Sequence, residues 1–404
     1  MSNRNRNVTG ASKNPVYRSS LIETEQAALP VNASVSLEVS SRERGKVDWG
    51  MPVISTTLDL GPAQTGHAAG KSQAPYRPIA SLGRIAVGLT MVVVFPVLAQ
   101  THFVPSPSTF AYDSGVLPSV AISGTSVVEV HQGTANGSGP LWSRTGHIQA
   151  DGTVIWASKS FQYDSGGRPS VAVSGTNVLE VHEGSANGFG PLWYKTGQIQ
   201  ADGSVAWNSN GHQYDNGAKP SIAISGNDVI EVHQGSADAF GALWYKTGRI
   251  LPNGSVAWSA NGYPYDSGGA PRVAMSGPNI IEVHQGTANI YGPLWYKTGQ
   301  FQADASVRWS ATANYYDNGS RPSVSLDGAT ILEIHEGSAN VLGSLWFHAG
   351  LIQADGSVTW DPLGTLYDRI GGGAPSIALA GAVALEVHQG SVGFGLEWYR
   401  TFRY

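Results

Sequence analysis

The residues of this chain that could do chemistry recur. A Glu and a His stand two positions apart in the segment Glu-Val-His or Glu-Ile-His, and this pair returns six times. On a β-strand, residues at positions i and i+2 face the same side, so each carboxylate would lie beside an imidazole. Such a pair could bind a ligand, hold a metal or form a buried hydrogen-bond network. The histidines are His131, His182, His233, His284, His335 and His388.

Two interpretations of the Glu-x-His pair stay open. In the first, residues such as Glu180 belong to a structural network that fixes each repeat, because a buried carboxylate needs a hydrogen-bond partner. In the second, the histidines line ligand-binding grooves between repeats. A metal site is not predicted, because two ligands per repeat leave a transition metal short of partners. No cofactor is expected.

Aromatic residues follow each His at a nearly constant distance. In the second copy Trp193 and Tyr194 are adjacent, so on a strand they point to opposite faces. We expect Trp193 and Trp207 to be structural, packing between repeats, because large aromatic side chains supply much of the apolar burial. The adjacent Tyr position is a better candidate for ligand contact, and it is occupied by Tyr194, Tyr245 and Tyr296 among others.

The loop after each Glu-x-His segment has a constant frame and a variable tip. Most copies share Ser/Thr-Ala-Asn/Asp, then two changing positions, then Gly. An exposed apolar tip beside a polar Asn suits stacking on a sugar ring, with packing on the adjacent repeat as the alternative. The second changing residue is Ser138, Phe189, Phe240, Tyr291, Leu342 and Phe394, and of these Phe189, Phe240 and Tyr291 are the candidate ligand contacts.

A Tyr-Asp pair recurs every 51 residues, from Tyr112 to Tyr367. Its Asp precedes Ser-Gly or Asn-Gly in five of the six copies, and these residues favour turns. We therefore predict that Tyr214 and Asp215, which represent the pair, are structural residues of a turn; a ligand contact by the Asp is the alternative.

The candidate residues belong to a 51-residue repeat, and the strands of this repeat must position them. The second copy predicts strands over residues 169–174, 177–183, 192–199 and 204–207, with a Gly-Thr turn, an Asp-Gly turn and a long link at 208–219. A period of about 50 residues with four strands predicts an all-β propeller. We expect about six four-stranded blades over residues 100–404, with seven blades or an open β-solenoid as alternatives. The sixth copy stops before its last strand, and the segment at His102–Val104 is expected to complete it.

The first quarter of the chain differs from the repeats. Residues 1–80 show no sustained periodicity and are predicted to be disordered. Residues 81–99 join a basic flank, an apolar run from Ile85 and small residues before Gln100, which is typical of a signal peptide or membrane anchor. A buried element of a small domain is the alternative. The sequence thus predicts a secreted or cell-surface protein.

Composition excludes several function classes. There is no Cys among the 404 residues, so disulfides and thiolate chemistry are absent. The net charge is −5, and the repeats carry the acidic excess, which argues against a nucleic-acid partner. No nucleophile elbow, phosphate-binding loop or zinc signature occurs.

The repeat as a whole resembles a known kind of protein. The string Tyr-Asp-x-Gly-x-x-Pro-Ser-Val-Ala, then Val-Glu-Val-His and Leu-Trp-Tyr-Lys, is similar to repeats of secreted bacterial propeller lectins that bind fucose between seven blades. The resemblance covers residues 112–404 and implies a non-enzymatic, multivalent carbohydrate-binding protein whose partners are fucose-like or lipopolysaccharide sugars. A protein-interaction scaffold at the cell surface is the alternative, and a secreted hydrolase is a third. A hydrolase would need one site whose acids differ from the other five and have perturbed pKa values. Homo-oligomerisation is a further expectation.

Overall fold

The computed structural model describes residues 102–404 except 135–136, 185–187, 237, 287–288, 290, 338–342 and 391–394. The predictions for residues 1–99 lie outside the described residues. Among the residues described, none belongs to a helix of the length and apolarity needed to cross a membrane.

Each repeat contributes one long strand. Its second half consists of small and apolar residues, as in the segment from Ser170 to Ser174. The long strands are β2 (Phe110–Ser123), β6 (Phe161–Ser174), β10 (His212–Ser225), β14 (Tyr263–Ser276), β18 (Asn314–Asp327) and β22 (Thr365–Ala380). A two-residue turn then leads to the strand that carries Glu-x-His. These second strands are β3 (Ser126–Gln132), β7 (Asn177–Glu183), β11 (Asp228–Gln234), β15 (Asn279–Gln285), β19 (Thr330–Glu336) and β23 (Val383–Gln389).

A third strand carries the Leu-Trp-Tyr segment, and a tight turn joins it to a short strand that ends in Trp. The third strands are β4 (Gly139–Ile148), β8 (Gly190–Ile199), β12 (Gly241–Ile250), β16 (Gly292–Phe301), β20 (Gly343–Ile352) and β24 (Gly395–Arg403). The short strands are β1 (Val104–Pro105), β5 (Val154–Trp156), β9 (Val205–Trp207), β13 (Val256–Trp258), β17 (Val307–Trp309) and β21 (Val358–Trp360).

The expected propeller of separate four-stranded blades is wrong. Each long strand pairs through its second half with the second strand of its own repeat, and through its first half with the third strand of the preceding repeat. Hydrogen bonding therefore continues across every repeat boundary, and β2 joins β24 in the same way. The result is a closed antiparallel barrel of 18 strands to which the short strands are added.

The propeller prediction failed at the segment that links one repeat to the next. Residues 208–219 were expected to form a connection, but His212 already begins the long strand β10. The Tyr-Asp pair is likewise not a turn: Tyr214 and Asp215 lie inside β10, where the pairing with β8 shifts register between Gln213 and Asp215. The shift leaves Tyr214 out of the regular ladder, whereas Asp215 and Gly217 pair with Leu192 and Gly190.

The hydrophobic core lies between neighbouring repeats. One cluster joins Leu179 and Val181 of β7 to Ile222 of β10 and Val229 of β11, all of them nearly inaccessible to solvent. Equivalent clusters recur around the barrel. Each repeat thus buries its apolar face against the next one, so a single repeat could not form this core alone.

The closure of the barrel uses the start of the described chain. Val104 and Pro105 of β1 pair with Arg403 and Phe402 of β24. This is the place that a short strand occupies beside the third strand in the other repeats. The prediction that the segment around residues 102–104 completes the sixth repeat is confirmed. Phe103 is 3% exposed and packs in the cluster that contains Phe402.

Candidate functional site

The Glu-x-His pairs form buried networks. Glu180 is fully buried, and its carboxylate lies 3.0 Å from Nδ1 of His182. Burial by itself would lower the pKa of His182, but the charge and hydrogen bond of Glu180 outweigh it and raise the pKa above its usual value. The same pair recurs, at 2.8–3.1 Å, in the other five repeats, with His131, His233, His284, His335 and His388.

A second pair accompanies each network. The Asp of the Tyr-Asp pair accepts a bond from a cation on the following third strand, and Asp215 to Nζ of Lys246 measures 3.1 Å. The Tyr214 ring stacks on Trp258 with ring centroids 4.7 Å apart. Trp207 of β9 stacks in the same way on Tyr163 of β6, the long strand of its own repeat, at 4.5 Å. These contacts therefore hold the first half of each long strand, which pairs with the preceding repeat, against the third and short strands of its own repeat.

The remaining sequence candidates divide into buried and exposed residues. Tyr194 and Tyr296 are buried and Tyr245 is half-buried; each ring packs edge-on against a Trp of the next repeat. Trp193 is half-buried, and its Nε1 approaches the backbone of Gly184. The loop tips are on the surface: Phe189, Phe240 and Tyr291 are 43%, 40% and 39% exposed, Ser138 is half-buried, and Leu342 and Phe394 lie outside the described residues. The six histidines and the tips thus differ in their access to solvent.

The side chain that follows the His accepts a hydrogen bond from the backbone of a left-handed residue in the next repeat. Lys219 has φ of 52°, and its N–H donates to Oε1 of Glu183 at 2.6 Å. Gln132 accepts in the same way from Arg168. A left-handed backbone is uncommon for a residue with a side chain, and here it stands directly before a Pro. The equivalent residues, all with φ of 47–56°, are Leu117, Arg168, Lys219, Ala270, Arg321 and Ala374.

These left-handed residues lie at one rim of a central cavity of about 410 Å³. The cavity is lined by the second halves of the six long strands, and serines link these strands around it. Ser170 Oγ accepts from the N–H of Ile222 at 3.2 Å, one repeat further on. Five serines do this: Ser119, Ser170, Ser221, Ser323 and Ser376. At the sixth position the chain has Arg272.

All the charged residues that line the cavity are cations. They are Arg168, Lys219, Arg272 and Arg321, and no Asp or Glu of the described residues is among the lining. This sign is opposite to that of the repeats, where residues 100–404 hold 14 Lys/Arg and 23 Asp/Glu. Four of these 14 cations therefore line one concave surface.

The four cations repel one another. Burial and the charges of Arg168, Arg272 and Arg321 lower the pKa of Lys219 to about 8, against the attraction of Glu183. Burial and Arg168 likewise lower the pKa of Arg272 to about 10. Two carboxylates at the rim hold two of the cations in place: Glu336 lies 3.0 Å from Arg321, and Glu183 lies 3.5 Å from Arg168. An anion inside the cavity would lower this repulsion.

Reasoning from the sequence missed these four residues. The signal was present as departures from the repeat: Arg272 replaces a Ser, and Lys219 and the two arginines share a position that is Leu or Ala in the other copies. Their convergence is not visible from the sequence, because it depends on the closure of the barrel around one axis.

Comparisons with known proteins give remote likenesses only. No protein-family model matches the chain, and no curated protein matches it. Among solved structures, a periplasmic gluconolactonase from Pseudomonas aeruginosa shares 14% identity, with 69% of this chain and 80% of that chain covered and a TM-score of 0.46. A Trypanosoma rangeli sialidase with sialic acid shares 10%, covering 74% and 58%, with a TM-score of 0.45. An endo-arabinanase from Bacillus licheniformis shares 12%, covering 62% and 98%, with a TM-score of 0.38.

These comparisons correct the predicted function. The similar structures are sugar-processing proteins of propeller type, and the named proteins are enzymes rather than fucose lectins. The predictions of a non-enzymatic, lectin-like protein and of a fucose-lectin relationship are therefore wrong. With every TM-score below 0.5, the likenesses assign neither an activity nor a substrate to this chain.

Proposed function

We propose that this chain binds a small anionic molecule, such as a phosphate, sulfate or carboxylate compound, in its central cavity. The observation that carries the proposal is that, among the described residues, every charged residue lining the cavity is a cation, on a domain that is otherwise acidic. A cavity of about 410 Å³ has the size of a small-molecule site.

The residues have distinct parts in this proposal. Arg272 and Lys219 are half-buried, so water screens their charge least. Arg168 and Arg321 are 45% and 39% exposed in their side chains, so they meet the ligand at the rim. Arginine suits this role because its planar guanidinium can form two parallel hydrogen bonds to an oxyanion.

Isothermal titration calorimetry with sodium sulfate, phosphate and citrate tests the proposal, with glycerol as the neutral control. The key variant is Arg272→Ser, because Ser stands at this place in the other five repeats and the fold already accommodates it. A charge-assisted hydrogen bond contributes about 1.5–3 kcal/mol, so we expect each anion to bind about 10- to 100-fold more weakly. Lys219→Ala should have a similar effect.

The matched control is Arg249→Ala, which removes an equal charge from an exposed pair with Asp228 outside the cavity lining. Its affinity should equal that of the unchanged chain. If Arg249→Ala and Arg272→Ser weaken anion binding equally, the effect is one of net charge and not of the cavity. If Arg272→Ser and Lys219→Ala both bind the anions as tightly as the unchanged chain, the proposed site is refuted.

A hydrolase would hold an anionic substrate in the same place. The titration panel therefore includes a phosphorylated sugar lactone, whose hydrolysis is followed by acid release at constant pH. Turnover that is lost in Arg272→Ser and retained in Arg249→Ala would make the cavity an active site. Binding without turnover would leave it a binding site.

A further inference from the structure

One repeat contains an acid that the other five lack. The third strands carry Leu before their Trp, as in Leu141 and Leu192, and this Leu is fully buried. In β24 the same place is occupied by Glu397, which is also fully buried. A lone buried carboxylate is costly, so its presence calls for a partner.

Glu397 reaches the Glu-x-His network of the first repeat. Its Oε2 lies 3.4 Å from Nδ1 of His131, and the same nitrogen lies 3.1 Å from Oε2 of Glu129. All three side chains are at most 2% exposed. Among the described residues, neither oxygen of Glu397 makes a hydrogen bond of acceptable geometry.

A fourth group stands beside these three. Asp113, the strand partner of Glu397 in β2, offers a carboxylate oxygen that lies within 4.8 Å of the ligand atoms of Glu129 and His131. Its Oδ1 accepts from the N–H of Ser114, and its Oδ2 contacts the Ser160 hydroxyl and, at 3.3 Å, the Arg144 guanidinium. Asp113 is therefore already positioned by these groups, whereas Glu397 has the His131 ring and the Tyr112 hydroxyl beside it.

The charges of this cluster do not balance as they do elsewhere. In the second repeat, the two carboxylates of Asp164 and Glu180 face the two cations Lys195 and protonated His182. At the first repeat, three carboxylates face Arg144 and His131. A divalent cation in place of the His131 proton would make the cluster neutral.

We propose that Glu129, His131 and Glu397, with Asp113 beside them, form a site for a divalent transition-metal ion of the Zn²⁺ type. Ligand bonds of about 2.0–2.2 Å place neighbouring ligand atoms roughly 3.0–3.5 Å apart. The 3.1 Å separation of Glu129 and His131 lies in this range but recurs in the other repeats, so the 3.4 Å approach of Glu397 to His131 is what distinguishes this site. One imidazole nitrogen with carboxylate oxygens suits zinc, whereas an all-oxygen set would suit calcium. Because Glu397 lies on β24 and the other ligands on β2 and β3, the metal would fasten the closure of the barrel.

The experiment compares the full chain with Glu397→Leu, which restores the residue of the other five repeats and is therefore expected to fold. Both are stripped with a chelator and titrated with Zn²⁺. The unchanged chain should retain about one Zn²⁺ after gel filtration, measured by mass spectrometry, and melt about 4 °C higher at 100-fold excess over the dissociation constant. Glu397→Leu should lose this metal and this shift, yet melt higher than the unchanged chain when both are metal-free.

Two controls keep the result specific. His147→Ala removes an exposed imidazole outside the cluster and should leave both readouts unchanged. Co²⁺ provides a spectrum: its visible absorption bands should appear in the unchanged chain and be absent in Glu397→Leu and Glu397→Gln.

Retention of the same amount of Zn²⁺ by the unchanged chain and by Glu397→Leu would overturn the proposal. A melting temperature of the unchanged chain that is the same with and without Zn²⁺ would also overturn it, because Glu397 would then be only a buried, protonated acid.

Discussion

Removal of the Phe103 side chain is expected to loosen the closure of the barrel. Phe103 is 3% exposed, and its ring lies 5.4 Å from that of Tyr404. It packs in a buried cluster with Phe347, Tyr367 and Phe402. The short strand β1 that follows it makes the final pairing with β24. A Phe103→Ala variant therefore tests whether this segment holds the first and sixth repeats together.

The magnitude follows from burial. Truncation of a buried Phe to Ala costs about 3–5 kcal/mol. The unfolding entropy is about 2.1 cal/mol/K per residue, so the roughly 300 residues of the unit 99–404 give about 0.6 kcal/mol/K. A loss of about 4 kcal/mol should thus lower the melting temperature by about 6 °C.

The assay is thermal and urea unfolding followed by tryptophan fluorescence. Phe161→Ala is the matched control, because this Phe is 67% exposed and should change the melting temperature by less than about 1 °C. Amide hydrogen exchange should also accelerate in β24 of Phe103→Ala. If the two variants melt within 1 °C of each other, the segment does not fasten the barrel and the reasoning fails.

Three other outcomes are expected. Because the pKa of Lys219 is lowered to about 8, this cation is lost as the pH rises through 8, so sulfate affinity should fall between pH 7 and 9, and Lys219→Arg should abolish the fall. The pKa of His182 is raised in the folded chain, so its stabilising effect is complete below about pH 6.5 and is lost as the pH rises through the folded value. As the pH rises above 6.5, the urea midpoint should therefore fall less steeply for Glu180→Gln than for the unchanged chain. Equal slopes would contradict the pairing of Glu180 with His182. Gly166→Ala would place a Cβ 2.4 Å from His182 Cδ2, so it should destabilise by about 1–3 kcal/mol in urea unfolding, whereas the adjacent exposed Ser165→Ala should change little.

The elements with strong local signals could be predicted from the sequence. The second strand β7 has the predicted bounds, Asn177–Glu183, because its apolar residues and its flanking glycines mark it unambiguously. The long strand β6 was predicted only from residue 169, yet it begins at Phe161. Its first half pairs with the third strand of the preceding repeat, and this distant partner overrides the local turn preference of Asp164 and Gly166.

The candidate sites show a similar division. The repeated Glu-x-His and Tyr-Asp residues were visible as a pattern, and the structure gives them partners within their own repeats. The residues that break the pattern carry the proposals: Arg272 in place of Ser, and Glu397 in place of Leu. Both substitutions can be read from the aligned repeats. Their significance depends on burial and on which residues face them across the closed barrel, and neither follows from local sequence.

The joining of β1 to β24 has a consequence for how the protein is made. Val104 and Arg403 are partners in the sheet, but about 300 residues of synthesis separate them. At about 5–20 residues per second, the strand β1 and the open edge of β2 leave the ribosome tens of seconds before β24 exists. During this interval the edge of β2 is an unpaired strand on a growing chain, open to other chains. The speed of translation, and any chaperone that covers this edge, should therefore affect how much of the newly made protein reaches the closed form.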